Sequence, residues 1–530
     1  MREPDSNTTV GRRPIGAVLK SDRLDRFARA LKWCLVGASV WYLGSYLVVA
    51  LARIGYPFEL EWMEGAVANH VQRILRGQPL YVRPSLDFVP FVYAPLYFYV
   101  SAGLAKVIGL SLLPLRLVSL SSSLACFAII YAFVQRESGS RFYGLAAAAL
   151  FAATFRAAGA WLDIARPDTL MLAFLLAGLY LARFEMSVLA LATAGSLFAL
   201  AFHTKQTALF IALPVAAGLM ATRGLRSLAF LGAFGLLGLG AVPVLNATYH
   251  GWYNYYVFFL PAHKPLVKSA IWEFWIGDLL RVMPVACGLA VTWLSWRRPG
   301  FGRAARFFYV LAIGGMVAAA WSGRLHYGGY RNALLPAYVG LAVLAVLGAW
   351  MLARPRERSG PCNASAATAV YVACIVQFGL LWYNPAALIP SREDVRAGKE
   401  LVATLAGYPG EILVPQHGYL SELAGKRSFA HQMALYDVVL AGPSQTEDRL
   451  LQEIVQAIKR QRFSAIILDG PFTLQDTLMD YYALQSGVFR SEDVFWTRTG
   501  MRTRPQGIFV PRGDARSAKQ GQDRDTELVR

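Results

Sequence analysis

Apolar residues in this chain fall in blocks of about twenty, the length at which a helix crosses the hydrocarbon of a bilayer, and short arginine-rich connections separate them. That pattern predicts a polytopic membrane bundle, mainly α. A chain of 530 residues with 56% hydrophobic and 16% charged side chains is too apolar for a purely soluble enzyme. The net charge of +19 would raise the question of nucleic acid in a soluble domain. Here much of it sits in the connections, as the positive-inside rule requires, and nucleic acid is not an expected partner. Cys34, Cys126, Cys287 and Cys374 lie in apolar segments and Cys362 in a loop, so no disulfide framework or metal-binding spacing is visible.

Charge sets the topology. The first thirty residues carry Arg2, Arg12, Arg13, Lys20, Arg23, Arg26 and Arg29, with no small-residue cleavage site after the first apolar stretch, and read as a cytoplasmic basic tail over 1–30. A first span over 31–52 then puts the next loop outside. Residues 91–110 are apolar enough to cross, but a crossing there would turn Arg136, Arg141 and most later arginine clusters outward. Read instead as a shallow or re-entrant helix of the outer leaflet, that stretch leaves Arg136, Arg141, Arg183, Arg223, Arg226, Arg297, Arg298, Arg303, Arg306, Arg354, Arg356 and Arg358 inside. The further spans are then near 115–134, 142–160, 169–183, 187–202, 206–221, 228–247, 278–296, 307–321, 332–353 and 367–384, about eleven crossings with the first.

From near Pro390 the character changes to polar and alternating patterns. Residues 411–415 and 464–469 read as short strands. Residues 447–462 read as a helix with Leu450, Leu451, Ile454 and Ile458 on one face. The expected organisation is a membrane domain over 31–388, with interfacial helices in an outer loop over 54–114, then an extracytoplasmic α/β domain over 389–512 and a disordered, charged tail over 513–530.

On this topology the unusual polar residues collect outside. Glu59, Glu61 and Glu64 follow the first span directly, beside Trp62; mutual repulsion and loss of hydration raise carboxyl pKa values toward the range of a general base. The same cluster at a helix end also reads as simply solvated. Val67, Val71, Ile74 and Leu75 then recur at helical spacing, an amphipathic helix lying flat at the headgroups. The next outer loop holds Asp163, Arg166 and Asp168 at the mouth of two spans, either a self-contained ion cluster or a functional one. His203 and Lys205 lie at the following outer junction. His250, His263, Lys264 and the compact segment with Arg324, His326, Tyr327 and Arg331 complete the outer side. Arginine suits a phosphate, which it grips with two parallel hydrogen bonds. Headgroup contact explains the same residues. No two of His203, His263 and His326 share a tight motif spacing, so a divalent metal is left open, not indicated.

Three ordered segments carry a family resemblance: Glu64-Gly-Ala-Val-Ala-Asn-His-Val-Gln-Arg-Ile-Leu-Arg-Gly77, Ala94-Pro-Leu-Tyr-Phe98 and Ala165-Arg-Pro-Asp168. Over roughly residues 30–350 the chain resembles the C-type glycosyltransferase superfamily, in the branch holding protein O-mannosyltransferases and lipid A aminoarabinose transferases. The resemblance implies a polyprenyl-phosphate sugar as donor, no soluble nucleotide cofactor, inversion at the anomeric carbon, and an acidic residue of the first outer loop as base. Helix register favours Glu64 over Glu59 and Glu61. The family often has an Asp-Glu pair where Glu64-Gly65 stands here. Some members carry a lysine where Tyr93-Ala94 stands, which leaves the phosphate to Lys205, Arg324 or Arg331.

The function expected is transfer of a sugar to a glycan, lipid or protein hydroxyl on the outer face of the bacterial cytoplasmic membrane, with Asp163 or Asp168 orienting the acceptor or holding a metal. The remaining substrate contacts fall to Arg166, His203, His263, Lys264, His326 and Tyr327. The rivals are a glycan polymerase or ligase and a transporter or flippase. A transporter, however, places ionisable groups near the bilayer midplane, and these spans are nearly uncharged.

Overall fold

The structure, a computed structural model, describes residues 15–295, 302–354, 362–472 and 474–513. Arg2, Arg12, Arg13, Arg297, Arg298, Arg356, Arg358 and the tail after Gly513 lie outside the described residues.

The described residues begin with one long helix, α1 (Ile15–Arg53), so part of the expected basic tail is continuous with the first span. Then follow α2 (Glu64–Leu75), α3 (Leu96–Ile108), α4 (Leu112–Ser138), α5 (Arg141–Ala153), α6 (Asp168–Phe184), α7 (Val188–Thr204), α8 (Leu209–Arg223), α9 (Ser227–Phe234) and α10 (Ala241–Thr248). Short pieces α11 (Trp252–Asn254), α12 (Leu260–His263) and α13 (Ala270–Glu273), interleaved with π-helical turns, lead to α14 (Pro284–Ser295), α15 (Arg303–Leu325), α16 (Leu335–Ala353) and α17 (Cys362–Leu380).

Helix occupies the greater part of each of the eleven stretches read as spans. By length and composition five helical units among the described residues are able to cross a bilayer alone, or seven with the bent pairs counted. One of the five, Gln206–Thr248, holds two of the expected spans. Gly195 of α7 lies against Phe230, and Gly238 lies against Ala199, so the segment containing α9 runs parallel to α7. The intervening α8 must therefore run the other way, and Gly224, at φ 55°, makes the turn. The stretch 142–160 departs from expectation. Its helix stops at Ala153, and the chain turns through Gly159 and Ala160, both at positive φ, which folds the segment up to Pro167 back against the bundle. Gly159 is required there, because a Cβ would stand 2.8 Å from the Tyr330 ring.

The core is a continuous apolar cluster centred on α16, which is buried almost all round. Outward-facing Trp33, Trp41, Val48 and Leu51 of α1 and Leu236 and Val244 near α10 are exposed, an apolar surface that suits lipid and not water.

After α17 come α18 (Arg392–Gly407), β1 (Ile412–Leu413), α19 (Gly418–Leu423), α20 (Gln432–Val439), α21 (Gln445–Lys459), β2 (Ala465–Leu468), α22 (Gln475–Tyr481), β3 (Tyr482–Gly487) and β4 (Gly507–Pro511). Ser391 and Asp394 close a capping box that starts α18. The four strands form one sheet in the order β1-β2-β4-β3, with β1 and β2 parallel and the other pairs antiparallel. This unit is packed tightly on the segment between α1 and α3. Phe58 packs against Phe495 within an apolar cluster that includes Leu405, Ile412 and Ile467. Val67 and Val71 of α2 are fully buried in a cluster that also holds Leu413, Tyr419 and Ile466. The apolar face of α2 therefore meets protein, correcting the expectation that it lies on lipid headgroups: the C-terminal unit supplies the surface that buries it.

Candidate active site

Several segments converge, among them the loop from Arg53 to Glu64, the segment 159–168, the end of α7, and loop 497–503 of the C-terminal unit. Three of their five carboxylates are anchored by basic side chains in tight ion pairs. Asp163 receives Arg53 on both oxygens, at 2.7 and 2.6 Å. Glu64 receives Arg116 on both, at 3.0 and 2.7 Å. Asp168 receives Lys205 Nζ at 2.6 Å and Asn332 Nδ2 at 3.0 Å on one oxygen, and the Trp161 indole at 3.1 Å on the other. Asp163 and Asp168 are nearly, and Glu64 entirely, removed from solvent.

The favoured assignment of Glu64 as base is corrected by this geometry. Besides Arg116 it accepts from Leu60 N at 2.6 Å and Ala165 N at 2.8 Å. Burial raises its pKa, but Arg116 and these amides outweigh that and hold it below the ordinary glutamate value. A carboxylate with this many donors is a poor proton acceptor. Asp163 is likewise committed, to Arg53, and so is not placed to orient an acceptor or a metal.

Glu61 differs. It is fully buried, yet its contacts are a long one from Arg166 Nη1 at 3.4 Å and one from Met63 N at 3.3 Å, and its Oε1 has no hydrogen-bond partner among the described residues. Loss of hydration, opposed by Arg166 and aided by Glu64, pushes its pKa up to about 7. Arg166 stands between Glu61 and Tyr93, donating to the Tyr93 hydroxyl at 2.6 Å, with its guanidinium over the Trp161 and Tyr93 rings. Asp163, Arg166 and Asp168 do not pair among themselves.

Glu59 joins the C-terminal unit. Its Oε2 lies 2.5 Å from His417 Nδ1, whose Nε2 lies 2.9 Å from Asp469 Oδ2. Burial opposes the charge on His417, but Asp469 and Glu59 together push its pKa up to about 10.

The other expected contacts lie elsewhere. His203 packs on the Leu237 carbonyl, exposed His263 on that of Phe259, and His326 on that of Ser322. Exposed His250 is a turn residue at φ 51°. Arg324 pairs with Asp278, and Lys264 with Asp437 of α20. Tyr327 and Arg331 are exposed, although the residues flanking Arg331 enter the site: Asn332 on Asp168, and Tyr330 against Trp161. Among the described residues no group of three His, Cys, Asp or Glu side chains is arranged to hold a metal ion, and the three histidines considered as ligands are each engaged with backbone.

Sequence reasoning missed Arg53, Arg116, Asn332 and His417. For the two arginines a signal existed: on the topology expected from the charge pattern both stand at outer span ends, against the inward bias of positive charge. Nothing local in the sequence marks Asn332 or His417.

The family model for dolichyl-phosphate-mannose-protein mannosyltransferase matches residues 92–248, under a third of the chain. That segment holds Tyr93, Arg116, Asp163, Arg166, Asp168 and Lys205. Among curated proteins, none matches in sequence. In three dimensions the chain is similar to ArnT from Cupriavidus metallidurans bound to undecaprenyl phosphate, with a TM-score of 0.56 and 12% identity over 90% of this chain and 98% of that one. The fold is the one seen in ArnT. ArnT from the same organism in the apo state gives a TM-score of 0.55 and 12% identity over 89% of this chain and 98% of that one. An integral membrane protein with this fold carries the buried ion-pair cluster at one end of its bundle.

Proposed function

We propose that the chain is a membrane glycosyltransferase that moves a sugar from a polyprenyl-phosphate donor to the hydroxyl of a glycan, lipid or protein acceptor, on the extracytoplasmic face of a bacterial cytoplasmic membrane. The unsatisfied, desolvated Glu61 beside Arg166 is the observation that carries this reading. A carboxyl with pKa near 7 is matched to proton abstraction at neutral pH. The acceptor oxygen attacks the anomeric carbon as its proton passes to Glu61. The bond from that carbon to the phosphate oxygen breaks, and the polyprenyl phosphate leaves with the electron pair, inverting the configuration. Arg166 stabilises the phosphate charge that develops, and Lys205 holds the donor phosphate before and during transfer. The likeness to ArnT, whose structure was solved with undecaprenyl phosphate, supports a polyprenyl carrier. The family model supports a sugar phosphate donor. Residues 389–512 form the extracytoplasmic domain of this reading.

The test is sugar transfer from a mixed polyprenyl-phosphate sugar pool by purified Glu61→Gln and Glu64→Gln. Glu61→Gln is expected to stay folded and lose at least about a hundredfold in kcat. Full activity in Glu61→Gln removes it as base.

A further inference from the structure

His417 lies in the C-terminal domain, 358 residues from Glu59 in sequence, yet it is buried at the centre of the outer cluster. Each of its ring nitrogens meets a carboxylate, Glu59 on one side and Asp469 on the other. Asp469 is held in turn by the Thr503 hydroxyl. Taking one imidazole and two carboxylates out of water is expensive, and well-packed apolar side chains would hold two units together at less cost. The arrangement therefore asks for a reason other than adhesion.

The reason lies in what Glu59 touches next. Its second oxygen accepts from Gly65 N at 3.0 Å, so the carboxylate bridges the first turn of α2 to His417. Leu60 O, the carbonyl before Glu61, accepts from both Arg498 N and Thr499 N at 3.0 Å. Gly500 then packs directly on the candidate base: a Cβ at that position would stand 2.9 Å from Glu61 Cγ and 2.9 Å from the Trp161 ring. Gly500 N donates to Gly159 O at 3.2 Å, and Gly500 O accepts from the Tyr330 hydroxyl at 2.7 Å. On the other side of Glu61, His431 Nε2 of the C-terminal domain lies 3.1 Å from Trp62 O, so the backbone on both sides of Glu61 is held by that domain.

Resting on the reading of Glu61 as base, we infer that His417 is a positioning residue, which acts through Glu59 to hold the loop carrying Glu61 in reacting register. The C-terminal domain is then part of the catalytic centre. A reacting carboxylate displaced by about 1 Å loses on the order of a hundredfold in rate, which is a sufficient reason to keep a costly buried clasp.

The experiment compares full-length His417→Gln, Glu59→Gln, the double variant, Glu61→Gln and, as a control, Arg462→Gln, which removes the partly exposed pairs of Arg462 with Glu411 and Asp87 and its contacts with the Phe429 and Phe463 rings, all away from Glu61. Transfer kinetics from a polyprenyl-phosphate sugar pool are read beside thermal melting. His417→Gln is expected to lower kcat at least about tenfold with donor KM within about twofold, while the double variant is no slower than the slower single one. Arg462→Gln keeps wild-type kinetics. Should His417→Gln fail to fold, Asp469→Asn, which leaves Glu59 and His417 in place and removes the negative charge that faces His417 Nε2 and the Thr503 hydroxyl, is read against the same criteria. Wild-type kcat in the variant read overturns the inference, as do losses at His417 and Glu59 that simply multiply, or a loss confined to KM. Full activity in Glu61→Gln overturns the reading of the base instead, so the two failures are distinct.

Discussion

Arg116 and Glu64 are joined by two parallel hydrogen bonds, at 3.0 and 2.7 Å, with both side chains removed from solvent. The Arg116 Nη groups also donate to the main-chain oxygens of Tyr56 and Phe58, at 2.6 and 2.7 Å, so this one guanidinium organises the loop that leads to Glu61. Removing one member strands the other charge in the interior, a loss of about 3–5 kcal/mol. Arg116→Ala is therefore expected to lower the melting temperature in detergent sharply. Glu64→Gln loses activity in parallel with stability, unlike Glu61→Gln. Wild-type melting of Arg116→Ala defeats this prediction.

The pH dependence follows from Glu61. Its carboxylate is the reactive form and its pKa is raised to about 7, so kcat/KM is expected to climb as pH rises through that value and to level off above it. Stability runs the opposite way. A raised folded pKa means that the folded state binds the extra proton more readily than the unfolded one, so the contribution is fully present below the unfolded glutamate value and is lost as pH rises through about 7. Glu61→Gln, with no charge to bury, should melt higher than the wild type at pH 8 and close to it at pH 5. A melting difference that grows on acidification contradicts the assignment.

Arg53 holds Asp163 with two nitrogens while Nη1 donates to Thr499 Oγ1 at 3.0 Å and Nη2 to Ala160 O at 2.9 Å. Lysine reaches only part of this set, because its ammonium is a single point without the planar fork. Arg53→Lys is expected to cost about 1–3 kcal/mol. It should also expose the 497–503 loop to proteolysis or hydrogen exchange before the rest of the C-terminal domain. Unchanged exchange in that loop refutes the bridging role.

Lys205 is held against Asp168 and faces the Tyr93 ring, and in the proposed reaction it meets the donor phosphate. Lys205→Gln is expected to raise donor KM more than it lowers kcat, since a cation that contacts phosphate in ground and transition states contributes largely uniform binding. A pure kcat effect would show that Lys205 contacts the departing charge alone.

How far the site was legible depends on how each residue announces itself. The bundle could be read because hydrocarbon length and inward positive charge act on every span alike, and the sheet strands near Ile412 and Ala465 announced themselves by short apolar runs. The carboxylates stood out as costly groups near a membrane. Their partners did not, because Arg116 with Glu64 and His417 with Glu59 are meetings across 52 and 358 residues that no local spacing encodes. That is why helix register pointed to Glu64: register describes one element, whereas the protonation of Glu64 and Glu61 is decided by which arginine approaches and how closely. The burial of α2 escaped for the same reason, since an apolar helix face fits a bilayer and a neighbouring domain equally well.

The topology can be tested without any reference to activity. Arg116 near one end of α4 belongs to the buried cluster, and Arg136 near the other pairs with Glu185 on the surface; at 1.5 Å per residue about 30 Å of helix separates them, the thickness of the hydrocarbon. The two ends should therefore face opposite compartments, with the C-terminal domain on the side of Arg116. In a background with the five native cysteines replaced, Arg136→Cys should be labelled by an impermeant thiol reagent only from the cytoplasmic side. Arg427→Cys, on the half-exposed Arg427 of the C-terminal domain, should be labelled only from outside. Labelling of both from the same side would place an even number of crossings between α4 and the domain where the parity argument requires an odd one, and the outer-face assignment would fall with it.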